Sequence, residues 1–253
     1  MCLHFKIRVF PLIESLLYTH LIKMTTQIIK KKRNPVGNRD RIVDAAIELM
    51  NKNGCVVGTT QLVEHLSISP GNLYYHFRNR EEILAEVLSR LTSDLDAVLK
   101  VKPNETPIAS WLASIFIGGA QVLRQYRFFF SSSLELVMKD ERLADQYRHF
   151  TARGIKQVDA ILKRVLANAA GQLRLTAAER GRLAENMWVL WTSWPRYIEI
   201  VAGAGNVEKE ILRNHEYLEF LLKPYLDPKF FKAVVTRVRK LQRLDNQTWG
   251  VMR

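Results

Sequence analysis

An all-α fold is predicted by three features of the 253-residue sequence. Apolar residues recur with helical spacing from about residue 39 onwards, and alternation of period two never persists through a whole segment. The few glycines and prolines fall between these periodic stretches, where helices end. Apolar side chains make up 47% of the chain and charged ones 25%, a composition that supports a sizeable core. We therefore expect a helical protein of one or two domains.

Capping residues and helix breakers divide the chain into helices in a clear order. In the first third, the predicted helices begin at Asn38, at Thr59 or Thr60, at Ser69-Pro70 and at Asn79. Further along, they begin at Thr106-Pro107, Asp140, Thr176, Val207 and Asp227-Pro228. The helix from Thr176 is expected to run to about Ala202, and the helix from Val207 to about Lys223. A long helix ending at Leu99 would join the short N-terminal helices to the longer ones.

The net charge indicates an anionic partner. The chain has 38 Lys and Arg against 25 Asp and Glu, a formal net charge of +13. A surplus of this size is typical of proteins that bind nucleic acid or a membrane surface. The two cysteines, Cys2 and Cys55, cannot form a disulfide framework or a zinc site. This favours a reducing compartment, so we expect a cytoplasmic protein without a metal or cofactor.

The first 23 residues form a predicted extension of their own. Their apolar stretch from Val9 to Ile22 is too short and too often interrupted to span a membrane, and no cleavage site follows it. Our hypothesis is that translation starts at Met24 and that residues 1–23 are not part of the native protein. A short interfacial helix and a disordered tail are the alternatives. The mass of the N-terminal peptide of the native protein would decide where translation starts; a peptide that begins at Met1 or Cys2 would refute the hypothesis.

A helix–turn–helix motif is predicted over residues 59–77. A short helix ends at Leu66, the turn is Ser67-Ile68-Ser69, and a very short second helix follows. In such motifs the second helix enters the major groove of DNA and its N-terminal residues meet base edges. The spacing places Leu62, Leu66, Ile68, Leu73 and Phe77 inside, and Ser69, Asn72, Tyr75 and His76 outside.

The run RDRIVDAAIELMNKNG…TTQLVEHLSISPGNLYYHFRNREEILAEVL resembles the DNA-binding domain of the TetR family of bacterial regulators. Val63 and Ser67 depart from the family's usual Ala and Gly. The resemblance implies that DNA is contacted by Thr59, Thr60, Ser69, Pro70, Gly71, Asn72, Tyr74, Tyr75, His76 and Arg80. Hydroxyl and guanidinium groups suit phosphates, and Asn72, Tyr75 and His76 are better placed to read bases. Three alternatives stay open: Ser69 as a helix cap, Tyr74 as mainly core, and His76 packed on the scaffold.

A basic arm precedes the motif. Residues 24–100 carry 11 basic and 9 acidic side chains, but the basic ones cluster in Lys30–Arg33 with Arg39 and Arg41. We expect Lys31, Lys32 and Arg33 to contact phosphates or the minor groove beside the site. The alternative is a solvated tail. A second basic run, from Lys229 to Arg243, has the pattern of a solvated helix face, with an acidic partner or ligand phosphate as its alternative.

The C-terminal part carries aromatic clusters and no recognisable catalytic arrangement, so we expect no enzymatic activity. An apolar effector pocket among the helices is predicted from Trp111, Phe116, Arg127, Phe130, Met138, Trp188 and Trp191. Core packing and a dimer interface are the alternatives. The run QYRFFFSSSLELVMKDERLADQYR also resembles a TetR subgroup with an Arg-Phe-Phe-Phe element, some of whose members regulate polyhydroxyalkanoate or fatty-acid metabolism.

The resulting prediction is a homodimeric regulator, most often a repressor in this family, that binds a pseudo-palindromic operator in double-stranded DNA. A small apolar or amphipathic effector would release it, and no membrane span is expected. The predicted divisions are the extension (1–23), the arm (24–37), the DNA-binding domain (38–84), the effector and dimerisation domain (85–245) and a tail (246–253). The dimer interface implied by the resemblance lies in residues 176–202 and 207–223. Two rival functions are a basic structural protein coating a lipid or polymer, and an enzyme with a degenerate DNA-binding domain.

Overall fold

The computed structural model describes residues 37–100, 106–202 and 206–250, and within them it is helical without a strand. The predicted all-α fold is therefore confirmed. The N-terminal part contains α1 (Asn38–Asn53), α2 (Thr59–Leu66), α3 (Pro70–His76) and α4 (Arg80–Leu99). The extension 1–23 and the arm with Lys31, Lys32 and Arg33 lie outside the described residues.

The C-terminal part is a bundle of longer helices joined by short ones. Its helices are α5 (Ile108–Gln125), α6 (Arg127–Ser131), α7 (Ser133–Lys139), α8 (Glu141–Ala169), α9 (Ala177–Val201), α10 (Val207–Ile211), α11 (Asn214–Leu222) and α12 (Pro228–Gly250). A 3-10 turn, Lys223–Tyr225, joins α11 to α12. No helix in the described part is long and apolar enough to cross a membrane.

Several helix starts follow the predicted capping residues. Ser69 Oγ accepts the amide of Asn72 (3.2 Å), and Asn79 Oδ1 accepts the amide of Glu82 (2.9 Å). Thr176 and Glu179 form the predicted reciprocal capping box. The N-cap of α1, however, is Gly37 rather than Asn38. Asn38 is already inside the helix, and its side chain instead bonds to neighbouring side chains near α3.

The N-terminal helices contribute one end of a core that continues into the C-terminal helices. Leu62, Leu73 and Phe77 are buried as predicted, and Ile42 and Met50 of α1 complete this end of the core. Burial of these apolar side chains holds α3 against α1 despite its length of 7 residues.

The central helix of the C-terminal part is α5. Every residue from Ala109 to Leu123 is buried, because α4, α8, α9, α11 and α12 all pack around this helix. The predicted final helix runs alongside it and buries Val234, Val238 and Leu241 on the shared face. This apolar stripe explains why the basic run from Lys229 to Arg243 lies mostly on the outer, exposed face.

The shared helix predicted from the sequence is α4, which packs against α1 on one side and against α5 and α8 on the other. The predicted division between residues 84 and 85 thus falls inside a continuous helix. Arg90, only 5% exposed, contacts the carboxylates of Asp40 and Asp44 on α1 and of Glu86 on its own helix. These charge-assisted bonds attach α1 to the middle of α4.

Two predicted boundaries differ from the structure. The helix expected over residues 207–223 is divided into α10 and α11 by a turn at Leu212–Arg213, after which the chain continues as the 3-10 turn. Pro224 has no amide hydrogen to continue the α-helical pattern, which accounts for the end of α11. The final helix, by contrast, extends to Gly250, into the predicted tail, because no glycine or proline interrupts it earlier.

Candidate nucleic-acid interface and effector cavity

The exposed side of α3 presents two tyrosines to solvent. Tyr75 is 85% exposed and Tyr74 is 53% exposed, while Leu73 between α1 and α3 is fully buried. The Tyr74 hydroxyl lies 3.4 Å from the Thr59 hydroxyl at the start of α2, and the Tyr75 ring packs edge-on against His76 at 5.0 Å. Thr59 and the two tyrosines therefore lie on one side of the motif, as the sequence predicted, and Tyr74 is not mainly a core residue.

Ser69 and Asn72 are both engaged in local hydrogen bonds. Ser69 caps α3, as its alternative interpretation proposed, yet the residue remains exposed. Asn72 Oδ1 accepts from Asn38 Nδ2 (3.1 Å), and Asn38 Oδ1 accepts from Arg41 (3.1 Å). This chain of bonds fixes the orientation of Asn72 and leaves its own amide group as the hydrogen-bond donor towards a partner.

Two arginines near α3 hold the motif together. Arg39, which the sequence placed among the arm cations, donates to the carbonyl of His76 (2.8 Å) and to Glu86 (3.0 Å) and lies 4.3 Å from the centre of the Phe77 ring. The half-buried Arg80 donates to the carbonyls of Val57 (3.0 Å) and Cys55. Arg80 Nε and Nη2 thus bond to the α1–α2 loop.

The remaining predicted contacts lie at the surface around the start of α3. Thr60, Pro70 and Gly71 are all exposed, and a Cβ built on Gly71 would meet only Ser69 Oγ at 4.0 Å. Among the predicted DNA-facing residues of the described chain, the exposed ones are Thr60, Ser69, Pro70, Gly71, Tyr74 and Tyr75, and the half-buried ones are Thr59, Asn72, His76 and Arg80.

An apolar cavity lies between α4, α5, α8, α9 and α11, with a volume of about 70 Å³. Three of the predicted effector-binding residues, Phe116, Trp188 and Trp191, line this cavity. Its other lining residues are aliphatic, Met or Gly: Leu95, Leu99, Leu112, Ile115, Gly119, Val158, Ile161, Leu162, Met187, Leu218 and Leu222. Pockets that hold drug-sized ligands measure about 300–1,000 Å³, so an effector must displace side chains to enter.

Four of the predicted effector-binding residues lie elsewhere. The Trp111 and Phe130 side chains are buried in the core and do not line the cavity. The ring centres of Phe130 and Trp191 lie 5.2 Å apart. Met138 is 79% exposed on α7 because this short helix turns its Leu136 inward instead. Arg127 donates to the carbonyl of Asn51 (2.5 Å) and so is not at the rim of the cavity.

Two glycines shape the cavity wall, and the sequence analysis did not identify them. A Cβ on Gly154 of α8 would lie 2.0 Å from the Trp188 indole, and a Cβ on Gly119 of α5 would lie 3.3 Å from Trp191 Nε1. Each tryptophan therefore packs directly on helix backbone. In the sequence, the available signal was a glycine inside a helical pattern, alone at Gly154 and as the pair Gly118-Gly119.

A second connection joins the motif to the bundle through Asn51 at the end of α1. Its side chain donates to the carbonyl of Gln125 (2.6 Å) and accepts the amide of Phe128 (3.1 Å). Nearby, the Cys55 thiol donates to Glu135 (3.2 Å). Hydrogen bonds from Lys139 and from Cys55 lower the pKa of Glu135 below its ordinary value.

Comparison with protein families matches both parts of the chain. The model described as "Bacterial regulatory proteins, tetR family" matches residues 42–87, which cover the motif. The model described as "Bacterial transcriptional repressor" matches residues 90–234, more than half of the chain. The chain belongs to the TetR family. This TetR-family protein is accordingly a transcriptional regulator with a helix–turn–helix DNA-binding domain and a helical domain of the ligand-binding type.

Solved structures support the assignment. A TetR-family transcriptional regulator from Marinobacter aquaeolei VT8 is 26% identical and gives a TM-score of 0.71, covering 81% of this chain and 99% of its own. A TetR-family regulator from Pectobacterium atrosepticum shares the fold at 12% identity, with a TM-score of 0.52 and coverage of 75% and 94%.

A curated relative matches a short stretch of the chain. The transcriptional regulator QacR from Staphylococcus aureus (strain Mu50) is 42% identical over 52 residues, which are 20% of this chain and 28% of that protein. The matched part thus spans less than a third of QacR, and the likeness concerns that part only.

Proposed function

We propose that this TetR-family protein is a homodimeric repressor that binds a pseudo-palindromic operator in double-stranded DNA and is released by a small apolar or amphipathic effector. The observation that carries the proposal is the presence of an exposed α3 surface and an apolar cavity in one chain. Helix α4 follows α3 directly along the chain and also forms part of the cavity wall. Two sites connected by one continuous helix are what a ligand-controlled DNA-binding protein requires.

DNA is contacted by the exposed start of α3. In the proposed complex, Asn72, Tyr75 and His76 meet base edges in the major groove. Thr59, Ser69 and Tyr74 donate to phosphates through their hydroxyl groups. Thr60, Pro70, Gly71 and Arg80 border this surface, and Lys31, Lys32 and Arg33 extend it along the phosphate backbone.

The partner subunit covers an exposed apolar surface on α9 and α11. Six large apolar side chains on these helices are 44–77% exposed, an unusual number for helices of a monomer: Val189, Tyr197, Ile200, Val201, Tyr217 and Phe220. A two-fold dimer through this surface would present two α3 helices to half-sites about one helical turn apart. Sedimentation analysis of Phe220→Glu, expected to be monomeric, tests this interface against the wild type.

An operator-binding assay tests the DNA-facing residues. We expect the purified protein to shift the intergenic DNA upstream of its own gene in the presence of bulk competitor. Tyr75→Ala and Asn72→Ala should each weaken specific binding by about 1–3 kcal/mol. Asn168→Ala, an exposed asparagine on α8, is the matched control and should bind normally. Absence of any sequence preference would refute the proposal.

The arm has its own test. Deleting residues 24–34 should reduce the dependence of operator affinity on salt concentration, because each phosphate contact adds about 0.9 to that slope. An unchanged slope would show that Lys31, Lys32 and Arg33 make no phosphate contacts.

A further inference from the structure

A polar groove runs between α4 and α8, outside the apolar cavity. It has a volume of about 440 Å³ and is lined mainly by Ser89, Thr92, Asp96, His149, Phe150 and Arg153. We call it the α4–α8 groove. Its walls carry hydroxyl, carboxylate, imidazole and guanidinium groups, in contrast to the cavity, whose lining is almost entirely apolar.

The groove and the cavity are lined by neighbouring residues of the same two helices. Leu95 lines the cavity and the adjacent Asp96 lines the groove, both on α4. On α8, Phe150 lines the groove, and its ring lies 5.2 Å from the ring of Trp188 in the cavity wall. A molecule that spans the groove and the cavity would therefore have to displace the Phe150 and Trp188 rings from this contact.

Asp96 joins the two walls of the groove. Its carboxylate accepts from Arg153 and from Gln157 Nε2 (2.7 Å), both on α8, and lies 4.0 Å from Lys100 Nζ on its own helix. The Asp96 side chain is only 15% exposed, whereas the Arg153 side chain is 51% exposed. Of these three partners of Asp96, Arg153 is the charged one that lines the groove; the Lys100 side chain, 68% exposed, does not line it.

These contacts favour an anionic group over a cationic one. An anion that takes the Arg153 guanidinium leaves Asp96 still bonded to Gln157 and close to Lys100, so the carboxylate keeps its partners. A cation at Asp96 would have to compete with all three of these donors. The other polar groups that line the groove are the imidazole of His149, which contacts Asp145, the side-chain amide of Gln146, and the hydroxyls of Ser89, Thr92 and Ser93.

We propose that the effector is an amphipathic anion, such as a carboxylate or sulfonate on an apolar body. The body occupies the enlarged cavity beside Trp188 and Trp191, and Arg153 binds the anionic group in the α4–α8 groove. Binding exchanges the Arg153–Asp96 contact for an Arg153–anion contact, which breaks a bond between α8 and the helix that reaches the DNA-binding domain. This inference rests on the proposed role of the cavity as the effector site.

Two fluorescent probes with similar apolar bodies test the proposal without DNA. Anilinonaphthalene sulfonate is an anion and phenylnaphthylamine is uncharged, and both accept energy from tryptophan when bound beside Trp188 and Trp191. Arg153→Gln should raise the Kd of the anionic probe at least fivefold and change the Kd of the neutral probe less than twofold. Arg153→Lys, which keeps the charge, should retain most of the preference for the anionic probe over the neutral one.

Matched variants test whether the effect on probe binding is specific to the charge of Arg153. Arg148→Gln removes an exposed arginine of the same helix, paired with Glu141, and should leave both probes unaffected. Asp96→Asn weakens the Asp96–Arg153 contact that competes with the anion, and it should lower the Kd of the anionic probe. Each variant is first shown to have wild-type helicity and a cooperative melting transition.

The possible outcomes distinguish the two proposals. If neither probe binds the wild type, the cavity is not an effector site, and both proposals fail at this point. If the neutral probe binds but Arg153→Gln affects both probes equally, or affects neither, the groove does not select an anion. The second result overturns this inference and leaves the repressor proposal intact.

Discussion

The indole of Trp188 packs against the backbone of Gly154, so close that a Cβ on Gly154 would lie 2.0 Å from the ring. The two residues belong to α9 and α8, and Trp188 forms part of the cavity wall. The close approach of these two helices therefore sets the position of one wall of the effector cavity.

Gly154→Ala is expected to destabilise the protein by about 1–3 kcal/mol, because the added methyl group must displace a buried indole. Gly181→Ala is the control, since a Cβ there meets nothing within 4 Å. That variant should be neutral or more stable by up to about 1 kcal/mol. Urea unfolding of both variants measures the difference. Equal stability of the two variants would contradict the packing described above.

Ser67→Gly is expected to stabilise the motif. Ser67, in the turn between α2 and α3, is the one non-glycine residue with positive φ in the described chain, at φ 52° and ψ 43°. A left-handed conformation costs an L-residue about 1–2 kcal/mol, and the larger backbone entropy of unfolded Gly offsets about half of that gain. Thermal melting should thus show a gain of roughly 0.5–1 kcal/mol. Ser67→Ala, which keeps the strain, should show none.

Asn51→Ala is expected to loosen the connection between α1 and α6. The change leaves the Gln125 carbonyl and the Phe128 amide without their side-chain partner and should cost about 1–3 kcal/mol. Amide hydrogen exchange should accelerate at Phe128 in particular. Asn53→Ala, at an exposed position at the end of the same helix, should change neither quantity.

The Glu135 carboxylate should make stability depend on pH below the neutral range. Its pKa in the folded state is lowered from the ordinary 4.5, chiefly by the hydrogen bond from Lys139 and then by that from Cys55. The unfolded state therefore binds the proton more readily, and the contribution is complete above pH 4.5 and lost as the pH falls through the folded pKa. The melting-temperature difference between wild type and Glu135→Gln should shrink over that range. A difference that is constant from pH 7 to pH 3 would contradict the assignment.

Much of the DNA-binding surface was predictable because its signals are local. Ser69 and Pro70 mark the start of α3 through rules that involve only neighbouring residues, and the apolar spacing of Leu73 and Phe77 identifies the buried side. The role of Arg39 was not predictable in this way. Its partners His76 and Glu86 are 37 and 47 residues away along the chain, so the sequence showed only a basic side chain next to a basic arm.

The lining of the apolar cavity was predicted in part for a similar reason. Aromatic residues at helical spacing indicated a cluster, and Phe116, Trp188 and Trp191 do line the cavity. Arg127 and Met138 were expected beside them but do not line the cavity. The direction of a side chain on a short helix depends on how that helix packs against the longer ones.

The order of helices, the helix–turn–helix motif and the family follow from the sequence alone, because periodicity, capping and the motif are properties of consecutive residues. The cavity walls, the engagement of Arg39 and Arg80 within the motif, and the meeting of Asp96 with Arg153 across a groove were decided only by tertiary packing. These contacts join residues far apart in the chain, and their geometry depends on how closely helices approach, which a single glycine such as Gly154 can determine.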